Sequence, residues 1–144
     1  MKLTAKGRYA VMAVADLASQ GVGVRVSLSE ISERQGISLS FLEQLFGKLR
    51  RAGVVESHRG AAGGYSLSTS ASRLTLKEII TAVDEDIRAH GCDPESRLAC
   101  TGMTGKCLTH GLWGALESHI EAFLSDITVD DVVNQRFPVM ESAG

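Results

Sequence analysis

The sequence predicts a mainly α chain with one short β-hairpin and a long C-terminal helix. Three observations predict it. Apolar residues recur every three or four positions through most of the chain. A Gly-rich tip between two alternating runs stands once, near the middle. A stripe from Leu108 to Ile127 steps by three or four over about five turns, longer than any other in the sequence.

The elements follow in order. Tyr9 to Val14, Leu17 and Ala18 keep helical spacing after Thr4, a candidate N-cap, so a first helix is expected over residues 4–20, ended by Gly21-Val-Gly23. Asp16 interrupts its apolar part and no cleavage pattern follows, so the segment reads as a mature amphipathic helix, not a secretion signal. Ser27-Leu-Ser-Glu30 is a capping box that opens a short helix with Leu28 and Ile31 inward and a stop at Gln35-Gly36. Ser38 can cap a third helix whose Phe41 or Leu42, Leu45, Phe46 and Leu49 form the core stripe, with Gly53 closing it. Val54 to Ser68 then reads as the hairpin. Helix, turn, helix and hairpin in that order make a winged helix-turn-helix with a two-stranded wing. Thr75 to Asp86 forms another amphipathic helix, and Thr128 to Asn134 adds a short one. The expected division is a winged-helix unit over 1–86, a cysteine-rich loop over 87–107, a dimerisation helix with its short successor over 108–134, and a flexible tail over 135–144. The long stripe places Leu112, Leu116, Ile120 and Phe123 on a homodimer seam.

Charge is distributed unevenly. Residues 1–60 carry nine Lys/Arg against five Asp/Glu, a balance of +4, and the other 84 carry six against twelve, −6, which together give the net −2. A basic front suits a polyanion. No apolar run approaches the about 20 residues of a membrane span, so a cytoplasmic protein without a membrane partner is expected.

On a recognition helix in a major groove, the N-terminal half reads bases. That half offers Ser38, Ser40, Glu43 and Gln44. Gln44 can pair bidentately with adenine, while Glu43 can accept from cytosine N4 and repels phosphate elsewhere. Lys48, Arg50 and Arg51 are placed for phosphates. Arg59 stands before the wing tip, where an arginine can enter a minor groove. Gly60, Gly63 and Gly64 are expected to let the backbone approach a duplex, and Lys2, Lys6, Arg8 and Tyr9 could add contacts from the first helix. The expected partner is double-stranded DNA carrying an imperfect inverted repeat.

All three cysteines fall in one polar stretch, Cys92-x7-Cys100-x6-Cys107-x2-His110. An odd count disfavours structural disulfides. Three thiolates and an imidazole satisfy tetrahedral zinc, although structural zinc sites usually start from a tight two-residue knuckle. Iron–sulfur clusters take ligands from longer loops, and a histidine ligand makes the site pH-dependent and labile, as a sensor requires. The spacing favours a cluster and leaves a zinc- or thiol-redox-dependent repressor as the alternative. A thiol enzyme built on Cys107 and His110 lacks an evident oxyanion hole or substrate pocket, so no enzyme is expected.

The stretches MKLTAKGRYAVMAVADLA, ISERQGISLSFLEQLFGKLRRAGVVESHRGAAGGYSL, EIITAVDE and KCLTHGLW resemble the iron–sulfur cluster regulator (IscR) family of bacterial winged-helix repressors, from Met1 to about Asn134. The resemblance implies a homodimer that binds a 2Fe–2S cluster through Cys92, Cys100, Cys107 and His110, receives it from cluster donor proteins, and represses the genes of cluster assembly. It places DNA reading on Ser38, Ser40, Glu43, Gln44 and Arg59, and implicates Glu43 in telling two classes of site apart. The cysteine spacings are longer than that family's usual ones, which alters the loop more than the ligand set, because closure cost grows slowly with length.

Overall fold

The computed structural model describes residues 5–61, 63–83 and 108–138. Six helices and one two-stranded sheet occupy them. Helix α1, Ala5–Ser19, lies centrally with Ala10, Ala13, Val14 and Leu17 buried; its expected cap, Thr4, lies outside the described residues. Helix α2, Leu28–Gln35, has the capping box that its sequence announces: the Ser27 hydroxyl accepts from the Glu30 amide at 3.2 Å, and Glu30 accepts from the Ser27 amide at 2.9 Å. Gly36 ends it in the left-handed region, φ +66°. In the turn that follows, the Ser32 hydroxyl donates to the Ile37 carbonyl at 2.6 Å, fixing the angle at which the next helix leaves.

Helix α3, Leu39–Arg51, starts where Ser38 accepts from the Phe41 amide at 3.2 Å. Leu42, Leu45, Phe46 and Leu49 are each at most 1% exposed, so one whole face is spent on the core. Strands β1, Val55–His58, and β2, Gly64–Leu67, pair antiparallel with Val55 opposite Leu67 and His58 opposite Gly64. The sheet has an addition that local patterning did not announce. Val26 bridges to Tyr65 through two backbone hydrogen bonds of 2.9 and 2.8 Å, and its side chain is buried. Tyr65 in turn meets Phe46 edge-on at 5.0 Å, so the wing is anchored to α3.

Helix α4, Leu76–Ala82, opens with a second capping box between Thr75 and Glu78 and ends at a buried Val83; residues 84–86 of the expected helix lie outside the described residues. Helix α5, His110–Asp126, is followed by α6, Val129–Val133, capped by Thr128. The chain between them returns to the winged helix: Leu76 donates to Ile127 at 3.0 Å, Val129 to Leu74 at 2.9 Å, and the Val129 side chain joins the core. Packing thus places α6 against α1, beside the winged helix. Arg136, expected in a frayed tail, is tied to Asp130 and Asp131. Two acids of α6, five and six residues back, hold it there.

Asp16 has a role that a break in an apolar run does not disclose. It is 6% exposed. The Arg34 guanidinium grips it with Nε–Oδ2 at 3.0 Å and Nη2–Oδ1 at 2.7 Å, and Gln35 adds a hydrogen bond of 2.8 Å. This fork ties α1 to the end of α2 and satisfies a carboxylate that burial would otherwise penalise.

Candidate nucleic-acid interface

Because α3 buries one face completely, its opposite face is fixed in space without using its polar side chains. Ser40, Glu43 and Gln44 are exposed there, within one and a half turns of the amino end. Ser38 is also exposed, but its oxygen is first a cap. Its hydroxyl proton remains available to a base or phosphate acceptor. The sequence groups Lys48, Arg50 and Arg51; the fold divides them. Arg50 is exposed and its Nη1 lies 3.5 Å from Ser57 Oγ on β1, at the wing side of the helix. Lys48 and Arg51 line an open cleft of about 890 Å³ against Lys77, Glu78 and Thr81 of α4.

Arg59 and Gly60 are exposed at the head of the wing turn. Gly60 has φ +100° with no atom near its missing Cβ, so its backbone faces open space. Gly63 and Gly64 are required by the chain's own packing. A Cβ on Gly63 would stand 2.6 Å from the His58 carbonyl oxygen, and one on Gly64 would stand 2.7 Å from that of Val26. These two glycines let the hairpin close and let Val26 pair with it. From the first helix, Arg8 is exposed, Lys6 half-buried, and Tyr9 packs edge-on against Phe41 at 5.8 Å, supporting α3 from beneath; Lys2 lies outside the described residues.

The expected metal ligands are split by the same limit. Cys92, Cys100 and Cys107 lie outside the described residues, and His110 is the first residue of α5, half-buried. Thr109 before it makes no side-chain cap to the helix; its hydroxyl accepts from the Trp113 indole at 3.1 Å. Among the described residues no group of three or more His, Cys, Asp or Glu could hold a metal ion. The donor chemistry nonetheless suits an iron–sulfur cluster. A helix amino end carries partial positive charge, and a thiolate-ligated cluster is anionic.

The α5 stripe has the opposite character to α3. No residue of α5 is fully buried; Leu112 is 59% and Phe123 49% exposed, with Leu116 and Ile120 half-buried. At the end of that stripe, Ile127 alone enters the core. No described helix is long and apolar enough to cross a membrane.

A helix with an exposed polar face, a two-stranded wing and a buried scaffold joining them define a winged-helix protein of the DNA-binding regulator class. The chain belongs to the Rrf2 family, described as iron-dependent transcriptional regulators, which matches residues 3–135. It is 53% identical to the HTH-type transcriptional regulator IscR of Vibrio atlanticus over 133 residues, 92% of this chain and 75% of that one. The regulator of the same name from Photorhabdus laumondii is 49% identical across the whole chain and 85% of its own length. Among solved structures, T. potens IscR superposes with a TM-score of 0.75 at 35% identity, covering 94% of this chain and 88% of that one. CymR, the global cysteine regulator of B. subtilis, superposes with 0.78 at 27% identity, over 94% and 98%.

Proposed function

We infer that this DNA-binding regulator is a homodimeric repressor that senses iron–sulfur cluster supply through a 2Fe–2S cluster and represses the genes of cluster assembly. The observation that carries the reading is the position of His110. The fourth residue of the Cys92, Cys100, Cys107, His110 set begins the helix whose apolar face is uncovered, and that helix leads through Ile127 into the core of the winged helix. Names of the relatives above support the cluster as the signal.

In this reading residues 1–86 contact DNA, 87–107 hold the cluster, 108–134 carry the dimer seam and its successor, and 135–144 form the tail. When bound, the cluster supplies iron–ligand bonds that join the cysteine segment to the first turn of α5. This chain's residues do the remainder. Leu112, Leu116, Ile120 and Phe123 pair two copies and so set the spacing of two reading helices on an imperfect inverted repeat. Gln44 offers a bidentate pair to adenine and Glu43 accepts from cytosine N4, while Ser38 and Ser40 supply hydroxyls. Arg59 and Gly60 bring the wing to the minor groove, and Lys48, Arg50 and Arg51 supply charge toward phosphates. Cluster donor proteins are the implied source of the cofactor.

The test is the visible spectrum of anaerobically purified protein. A coloured protein that bleaches on Cys92→Ala and on His110→Ala supports the cluster. Colourless protein with stoichiometric zinc overturns it in favour of a zinc-dependent repressor on the same DNA face.

A further inference from the structure

The bridge between Val26 and Tyr65 exposes a surface that charge patterning alone does not reveal. Val26 faces the core, and side chains along a strand alternate, so Arg25 and Ser27 are turned the other way. There Arg25 lines an open groove of about 560 Å³ with Gly23, Ser27, Glu30, Ala61 and Gly63, between the start of α2 and the turn of the wing. Arg25 is exposed and, among the described residues, makes no ion pair or hydrogen bond. The groove also holds the Glu30 carboxylate, whose Oε2 accepts from the Ser27 amide at 2.9 Å and which keeps its charge there. The result is an unpaired guanidinium beside the turn headed by Arg59 and Gly60.

We propose that this groove seats a phosphate of the DNA backbone, with Arg25 as its clamp. The connection between α1 and α2 then becomes a third DNA-contacting element beside α3 and the wing. The proposal rests on the DNA-binding reading of the α3 face. A guanidinium presents a planar fork that matches two phosphate oxygens, which a solvated surface lysine does not. Such a contact carries no base information. It adds affinity equally to every sequence and, lying beyond the wing turn, engages backbone that flanks the groove Arg59 enters.

The experiment is a fluorescence-anisotropy titration of full-length protein on a labelled duplex across roughly 50 to 200 mM salt. Arg25→Gln is expected to weaken binding to a preferred site and to an unrelated duplex by the same factor, about threefold to tenfold. The log–log salt slope becomes shallower by about 0.9 for each bound protomer. Arg25→Lys retains the slope, and trimming flanking base pairs from the duplex brings wild type down to the Arg25→Gln affinity. The exposed side chain has no partner among the described residues, so the variants melt as wild type does, which separates lost contact from lost fold. Wild-type affinity and slope in Arg25→Gln overturn the clamp alone, as does a loss confined to one sequence. Failure of the wild-type protein to bind any duplex overturns the DNA reading together with it.

Discussion

Helices α3 and α5 are both amphipathic, and they meet the rest of the chain in opposite ways. In α3 the stripe of Leu42, Leu45, Phe46 and Leu49 is covered by its own chain, and Ser40, Glu43 and Gln44 are among the residues left outward. In α5 nothing is fully buried, and Leu112 and Phe123 stay about half exposed or more. A helix whose packing is complete can offer its polar face to a ligand at fixed geometry. A helix whose apolar face is uncovered requires another surface. In the function proposed above, the difference separates reading from assembly.

The largest effect that tests this contrast is on stability. Phe46→Ala is expected to cost about 3–5 kcal/mol, because a large ring is removed from a packed site touching Tyr65. Phe123→Ala, measured at a dilution where the protein is monomeric, should change stability by only about 0.5 kcal/mol. Urea denaturation of both variants decides it; equal losses would erase the distinction between the two helices.

Next is assembly. Leu116→Asp should convert a dimer to a monomer by light scattering and weaken binding to an inverted repeat by about 100-fold, through lost avidity. Affinity for an isolated half-site should stay as it was. A monomeric wild type would leave the α5 face without the role given to it here.

Specificity is a smaller effect and belongs to α3. Glu43→Ala should narrow the affinity ratio between a preferred site and one altered at the facing cytosine by roughly tenfold, while overall stability stays within about 0.5 kcal/mol. Unchanged selectivity would remove Glu43 from the reading set.

The smallest effect lies in the fork that joins α1 to α2. Burial pushes the Asp16 carboxyl up, but the Arg34 and Gln35 hydrogen bonds and the Arg34 charge outweigh it and hold it below its ordinary 3.8. A depressed carboxylate stabilises the fold above its unfolded pKa, and this contribution fades as pH falls through the folded value. Wild type and Asp16→Asn should therefore differ at neutral pH and converge in acid below about pH 3.8. Arg34 is 37% exposed, so solvent screening keeps the difference modest. Parallel curves across that range would show that charge is not what the fork contributes.

Much of this architecture is legible in residues a few positions apart. Ser27, Ser38, Thr75 and Thr128 each mark a helix start that the structure reproduces, since a cap is a contact between a side chain and an amide two or three residues on. The buried face of α3 follows from its spacing in the same way. Gly63 and Gly64 show the limit: their presence announces a close approach, but the neighbour that requires it at Gly64 is Val26, from another part of the chain.

The sequence by itself determined the helix caps, the two amphipathic stripes, the wing and the winged-helix order, because each depends on neighbours along the chain. It also marked the Cys92, Cys100, Cys107, His110 set as a candidate, by residue type alone. Tertiary structure decided which stripe is covered, that Val26 bridges to Tyr65 of the wing, that Asp16 is held by Arg34, and that α6 returns to α1. It also decided that Arg25 faces a groove beside the wing. Those outcomes depend on partners distant in sequence, whose approach is set by the packing of the whole core and not by any local pattern.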